Sequence, residues 1–112
     1  MTDICIVKPS FRRLDTKAAA PLRAMMAAAW AGGPRIVALD LTDVMYVDSL
    51  GLSALVAENR QRPTPGAIVV FGLTEYVREV FEISRLAELF DVFETAAAVR
   101  AALGDADAAR AV

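Results

Sequence analysis

Two short runs constrain the fold most: RIVALDL at Arg35–Leu41 and AIVVF at Ala67–Phe71. A strand wet on one face alternates apolar and polar residues, whereas these runs are apolar at consecutive positions, the pattern of a strand covered on both faces. Each run is followed by a segment of helical spacing. Strands alternating with helices imply right-handed crossovers, so a mainly parallel sheet with helices packed against it is expected.

The remaining segments fit that frame. Asp3–Val7 is short, rich in β-branched residues and stopped by Pro9, so it reads as a strand. Asp15 or Thr16 can cap a first helix from about Ala18 to Ala31, with Pro21 tolerated in its first turn. Leu22, Met25, Met26, Ala29 and Trp30 share one face of that helix and read as core packing. Gly32 and Gly33 supply a left-handed stop, and Pro34 prevents continuation.

In the next helix, SLGLSALVAENRQ, Leu52, Leu55, Val56 and Asn59 share a face, and Asp48 or Ser49 can cap it. Pro63, Pro65 and Gly66 break the chain, and Gly72 marks a turn. Thr74 can cap a third helix with Val77, Val80 and Phe81 facing inward. Arg85–Leu89 reads as an irregular turn into a last strand near Phe90–Phe93, and Thr95 can cap a helix over Ala96–Leu103 that Gly104 ends. The expected architecture is a single α/β domain over residues 1–104, with about four strands and about four helices. The tail DADAARAV, residues 105–112, has almost nothing to anchor it and is expected to fray.

Composition narrows the function. The chain is 56% hydrophobic, yet its longest stretch without Asp, Glu, Lys or Arg runs only from Pro63 to Thr74 and contains two Pro and two Gly. A spanning helix needs about 20 apolar residues, so no membrane insertion is expected. Blocks such as Ala18–Ala20, Ala27–Ala29 and Ala96–Ala98 place much of the apolar excess in helices instead. A formal charge of −2 lacks the basic footprint of a nucleic-acid binder. The start MTDICIVKP carries no secretory pattern, so the cytoplasm is the expected compartment.

A lone Cys5 within a strand-like run reads as a packed residue without a disulfide. With no histidine in the chain, a zinc site built from His and Cys, a Ser-His-Asp triad and a Cys-His pair are all excluded. No catalytic residue, metal ligand or cofactor is expected, and no Gly-rich phosphate loop occurs.

The segment that carries chemistry is LDLTDVMYVDSLGLSAL, Leu39–Leu55. It places an acid and a hydroxyl, Asp48 and Ser49, after a buried strand and immediately before a helix. Ligands in α/β sheets gather at the carboxyl ends of strands, and a helix N-terminus offers free amides and the positive end of its dipole. A phosphate on Ser49 would sit where those amides can receive it.

From about Arg13 to Leu103 the chain resembles the STAS domain, the small module of bacterial anti-sigma factor antagonists. RLDTKAAAPLRAMM is similar to that family's entry into its first helix, and RIVALDLTDVMYVDSLGLSALV to its central strand, phosphorylation loop and second helix. FGLTEYVREVFEISRLAELFDVFETAAAVRAAL is similar to the strand, helices and terminal strand that follow. The resemblance implies a switch rather than an enzyme. The unphosphorylated domain would bind an anti-sigma factor that is also a serine kinase, phosphorylation of Ser49 would end that binding, and a phosphatase would restore it. It further implies that Asp48 is the motif acid and that Asp15 is a second contact on the same surface. Gly51 would let a partner's backbone approach the helix start, and Tyr46, Ser49 and Leu50 are expected partner contacts with the two acids.

Plainer roles stand beside these. Ser49 suits an N-cap, Asp48 and Asp15 suit capping, Ser53 suits a solvated or back-bonded helix hydroxyl, and Tyr46 suits a packed cover as well as a partner contact. Two positions depart from the family. Leu50 stands where a second Ser or Thr is common, and Met1–Arg13 has room for one strand where two are usual. A missing edge strand would leave Asp3–Val7 free to pair with a second copy as a homodimer. An alternative within the same family is a constitutive scaffold, such as the small subunit of a lipid-transport ABC complex. A hydrolase using Ser49 is disfavoured, since GLSAL lacks the second Gly of a G-x-S-x-G elbow and no His can act as base.

Overall fold

The computed structural model describes residues 4–104, so Asp3 of the first expected strand and the 105–112 tail lie outside the described residues. In chain order the elements are β1 (Ile4–Val7), β2 (Arg13–Leu14), α1 (Ala19–Ala31), β3 (Ile36–Asp40), β4 (Tyr46–Val47), α2 (Ser49–Gln61), β5 (Ala67–Phe71), α3 (Glu75–Ile83), β6 (Asp91–Phe93) and α4 (Ala96–Val99). Single 3-10 turns at Thr16–Ala18 and Leu86–Glu88 precede α1 and β6, and a π turn over Arg100–Gly104 prolongs α4.

The sheet has the order β1-β3-β5-β6, and every pairing is parallel. The two consecutive apolar runs occupy its two central positions, as their two-sided burial requires. Val37 and Leu39 of β3, with Ile68 and Val70 of β5, join a core formed with Leu22, Met26, Leu55, Val77 and Phe81 from α1, α2 and α3. The alternate residues, Ile36, Ala38, Val69 and Phe71, face the other side and are covered by Val99, Ala96 and Leu103. The period of two in a strand thus supplies two cores from one apolar run.

The turn after α3 is pinned by Leu86 and Phe90, with the Phe90 ring 6.4 Å from that of Phe81 at 54°. This is the tilted arrangement that aromatic pairs favour.

Several details differ from expectation. In α1 the buried residues are Leu22, Met26 and Ala29, while Met25 and Trp30 are only half-buried. Gly33 alone supplies the left-handed residue at the helix end, at φ 80°, since Gly32 keeps a right-handed conformation. In α2 the buried stripe is Gly51, Leu55 and Glu58, with Leu52 and Val56 half-buried, so the helix is rotated from the face expected of its apolar residues. Glu58 is tolerated at the α1–α2 contact because Arg23 lies 3.4 Å from its carboxylate.

The front of the chain requires a correction. A second strand does precede α1, but β2 is two residues long and pairs with β4 in a separate parallel ladder. It does not cover β1, which stays at the sheet edge with no strand on its outer side among the described residues.

Candidate functional site

The β2–β4 ladder sets the geometry around the acid and hydroxyl. Arg13 lies opposite Tyr46 and Leu14 opposite Val47. Leu14 and Val47 point into the core, so the alternation of a strand turns Arg13 and Tyr46 outward. The Asp48 amide donates to the Leu14 carbonyl at 3.2 Å, and the Met45 and Tyr46 amides both donate to the Arg12 carbonyl. One step beyond the ladder, Asp15 and Asp48 leave the paired strands side by side, and each starts a helical segment.

Both carboxylates are caps. Asp15 accepts from the Lys17 amide at 3.0 Å and starts the Thr16–Ala18 turn. Asp48 accepts from the Gly51 amide at 2.9 Å and starts α2. Asp48 and Ser49 were both eligible for the second cap, and the acid takes it. Ser49 is therefore the first helical residue, exposed, with its hydroxyl outside the capping hydrogen bond.

Gly51 corrects one expectation. The backbone it admits belongs to this chain and not to a partner: a Cβ placed there would lie 1.8 Å from the Leu14 carbonyl oxygen and 2.8 Å from the Asp15 nitrogen. Gly51 is buried, and its lack of a side chain locks the first turn of α2 against the exit of β2. The two acids are held together by that contact.

Three large side chains on or beside the β4–α2 junction are exposed. Leu50 is 60% exposed, Met45 54% and Tyr76 48%. Tyr76, in the first turn of α3, donates its hydroxyl to the Val47 carbonyl at 3.4 Å, which brings α3 beside the β4–α2 junction. Met45 and Tyr76 were not singled out in the sequence. A groove of about 320 Å³ runs from Ser49 along Leu52, Ser53, Val56 and Arg60, with Ser84 and Leu86 opposite. At the exit of β2, Phe11, Arg12, Arg13, Asp15 and Lys17 border a shallow cavity of about 260 Å³. The Arg13 guanidinium lies 4.0 Å over the Tyr46 ring, and its Nε is 3.3 Å from Asp15 Oδ2. Tyr46 is thus both a packed cover and half-exposed.

Five of the six expected contact residues, Asp15, Tyr46, Asp48, Ser49 and Leu50, share this surface, and Gly51 lies beneath it. Among the described residues, no group of three His, Cys, Asp or Glu side chains is placed to hold a metal, and no helix is long and apolar enough to cross a membrane.

Residues 2–99 match the STAS domain. The chain belongs to the STAS domain family. It is 39% identical over 82 residues to BtrV of Bordetella bronchiseptica, a protein named as an anti-sigma factor antagonist, in an alignment taking in 72% of this chain and 71% of that one. The fold is that of an anti-sigma factor antagonist from Mycobacterium paratuberculosis, with a TM-score of 0.76 at 20% identity over 90% of this chain and 86% of that one. The antagonist SpoIIAA, solved in its unphosphorylated form, gives a TM-score of 0.67 at 18% identity over 100% and 92% of the two chains. In this STAS domain the Asp48–Ser49 pair lies at the carboxyl side of the central strands, where the helix start faces solvent.

Proposed function

We propose that this STAS domain is an anti-sigma factor antagonist that binds an anti-sigma factor with serine kinase activity, and that reversible phosphorylation of Ser49 controls the binding. The observation that carries this reading is the division of labour at the α2 start: Asp48 caps the helix, and Ser49 presents an exposed hydroxyl beside it. The relationship to proteins named as antagonists supports the same role.

The chemistry belongs to the partner. Ser49 Oγ would attack the γ-phosphorus of ATP held by the kinase, the bond to the bridging oxygen would break with ADP leaving, and the hydroxyl proton would pass to a base of the kinase. A phosphatase would hydrolyse the ester. This chain then acts as substrate and ligand, not as an enzyme, with no cofactor of its own, and works in the cytoplasm.

Phosphorylation adds about −1.5 to −2 charges. At the N-terminus of a 13-residue helix that charge meets free amides and the positive end of the dipole, so the fold persists. The change falls on the contact surface of Asp15, Tyr46, Asp48 and Leu50, extended by Met45 and Tyr76, where it repels and blocks an acidic or closely packed partner. Binding is lost without unfolding.

Affinity capture with wild type and Ser49→Asp, followed by mass spectrometry of the partners and of the Ser49 peptide, tests the reading. Expected are an anti-sigma factor kinase on the wild type, far less of it on Ser49→Asp, and one phosphate on Ser49 after incubation with ATP. Capture of a transport ATPase equally by both forms, with no phosphate, would indicate the scaffold instead. Among the described residues no strand pairs with the outer edge of β1, which further suits pairing with a second copy. A strict monomer in sedimentation at high concentration would remove that element.

A further inference from the structure

Resting on the reading of Ser49 as phosphoacceptor, we propose that Arg13 is the positioning residue that holds the added phosphate on the domain's own surface. Its present contacts leave it available. They are the face of the guanidinium over Tyr46 and one bond from Nε to Asp15 Oδ2, and the side chain is 62% exposed. The terminal nitrogens make no hydrogen bond with the described residues, so the fork that suits a phosphate is unoccupied.

The backbone brings Arg13 next to the site. Arg13 precedes Leu14, whose carbonyl accepts from the Asp48 amide at 3.2 Å, and Ser49 follows Asp48. Arg60 borders the same groove as Ser49 but stands eleven residues along α2, about 16 Å away at the helical rise. A phosphate near −2 then competes well against a single carboxylate for Arg13.

Release of Arg13 leaves the fold intact, because the two oxygens of Asp15 have separate tasks. Oδ1 caps the Lys17 amide and Oδ2 meets Arg13. Phosphorylation would therefore move one side chain from an acid to the phosphate while the cap stays closed.

The test installs phosphoserine at position 49 during translation, which makes it independent of any kinase. Phosphorus NMR then follows the second ionisation of the phosphate in the Arg13, Arg13→Lys, Arg13→Ala and Lys17→Ala chains. A nearby cation favours the dianion, so this ionisation should fall about half a pH unit lower with Arg13 than with Arg13→Ala. Arg13→Lys should lie between them, and Lys17→Ala should match the wild type. The Arg13 Nε–H resonance should also shift when position 49 carries phosphate. Identical ionisation in the Arg13 and Arg13→Ala chains, or an equal effect from Lys17→Ala, would overturn the assignment. Failure of a kinase to modify Ser49 would count against the earlier reading alone.

Discussion

The starts of α2 and α3 use the same capping bond and differ in which atom makes it. At α3 the Thr74 hydroxyl accepts from the Val77 amide, and at α4 the Thr95 hydroxyl accepts from the Ala98 amide in the same way. At α2 a carboxylate, Asp48, accepts from Gly51. A hydroxyl that caps is committed to the fold. At α2 the acid takes the structural task, and the next residue offers a hydroxyl with no such commitment.

The residue whose amide is capped differs as well. It is Val77 in α3, Ala98 in α4 and Gly51 in α2, where the Leu14 carbonyl presses into the space a side chain would fill. Gly51→Ala should therefore have the largest effect on the fold, about 3 kcal/mol or more of lost stability in urea unfolding, since backbone must move to relieve the clash. A tolerated Gly51→Ala would show that the α2 start is not locked against β2.

Loss of a cap comes next. Asp48→Ala and Thr74→Ala should each cost about 1 kcal/mol in the same measurement. Ser49→Ala should change stability by less than about 0.5 kcal/mol. A cost for Ser49→Ala equal to that for Asp48→Ala would erase the contrast between the two residues. Leu50→Ala should leave unfolding equally unaffected, while lowering partner affinity about tenfold if its exposed side chain packs in the interface. Unchanged affinity would remove Leu50 from the contact surface.

The same contrast explains what could be read from the sequence. β3 and β5 were legible because burial on both faces writes itself into consecutive residues, and Thr74 and Thr95 because their caps depend only on neighbours three positions on. β2 and β4 were not legible. Each has two residues, and each exists through pairing with a segment more than thirty positions away. The choice between Asp48 and Ser49 as cap was open for a related reason, since either side chain satisfies the local rule.

The burial of Gly51 depends on the approach of Leu14, and the place of Tyr76 on a bond to Val47; neither leaves a local trace. Glu58 does leave one, at three positions after Leu55 and seven after Gly51, but only a reader who already knew the orientation of α2 would take a glutamate as part of a buried stripe.

The central claim is that phosphate on Ser49 changes binding and not folding. Its most direct test is the affinity of the captured anti-sigma factor for the unmodified and Ser49-phosphorylated chains, measured beside their thermal midpoints. The account predicts an affinity loss of about 100-fold or more, near 2.7 kcal/mol, with midpoints within about 4 °C of each other. Equal affinity of the two forms, or a loss of binding accompanied by melting of the phosphorylated domain, would contradict it.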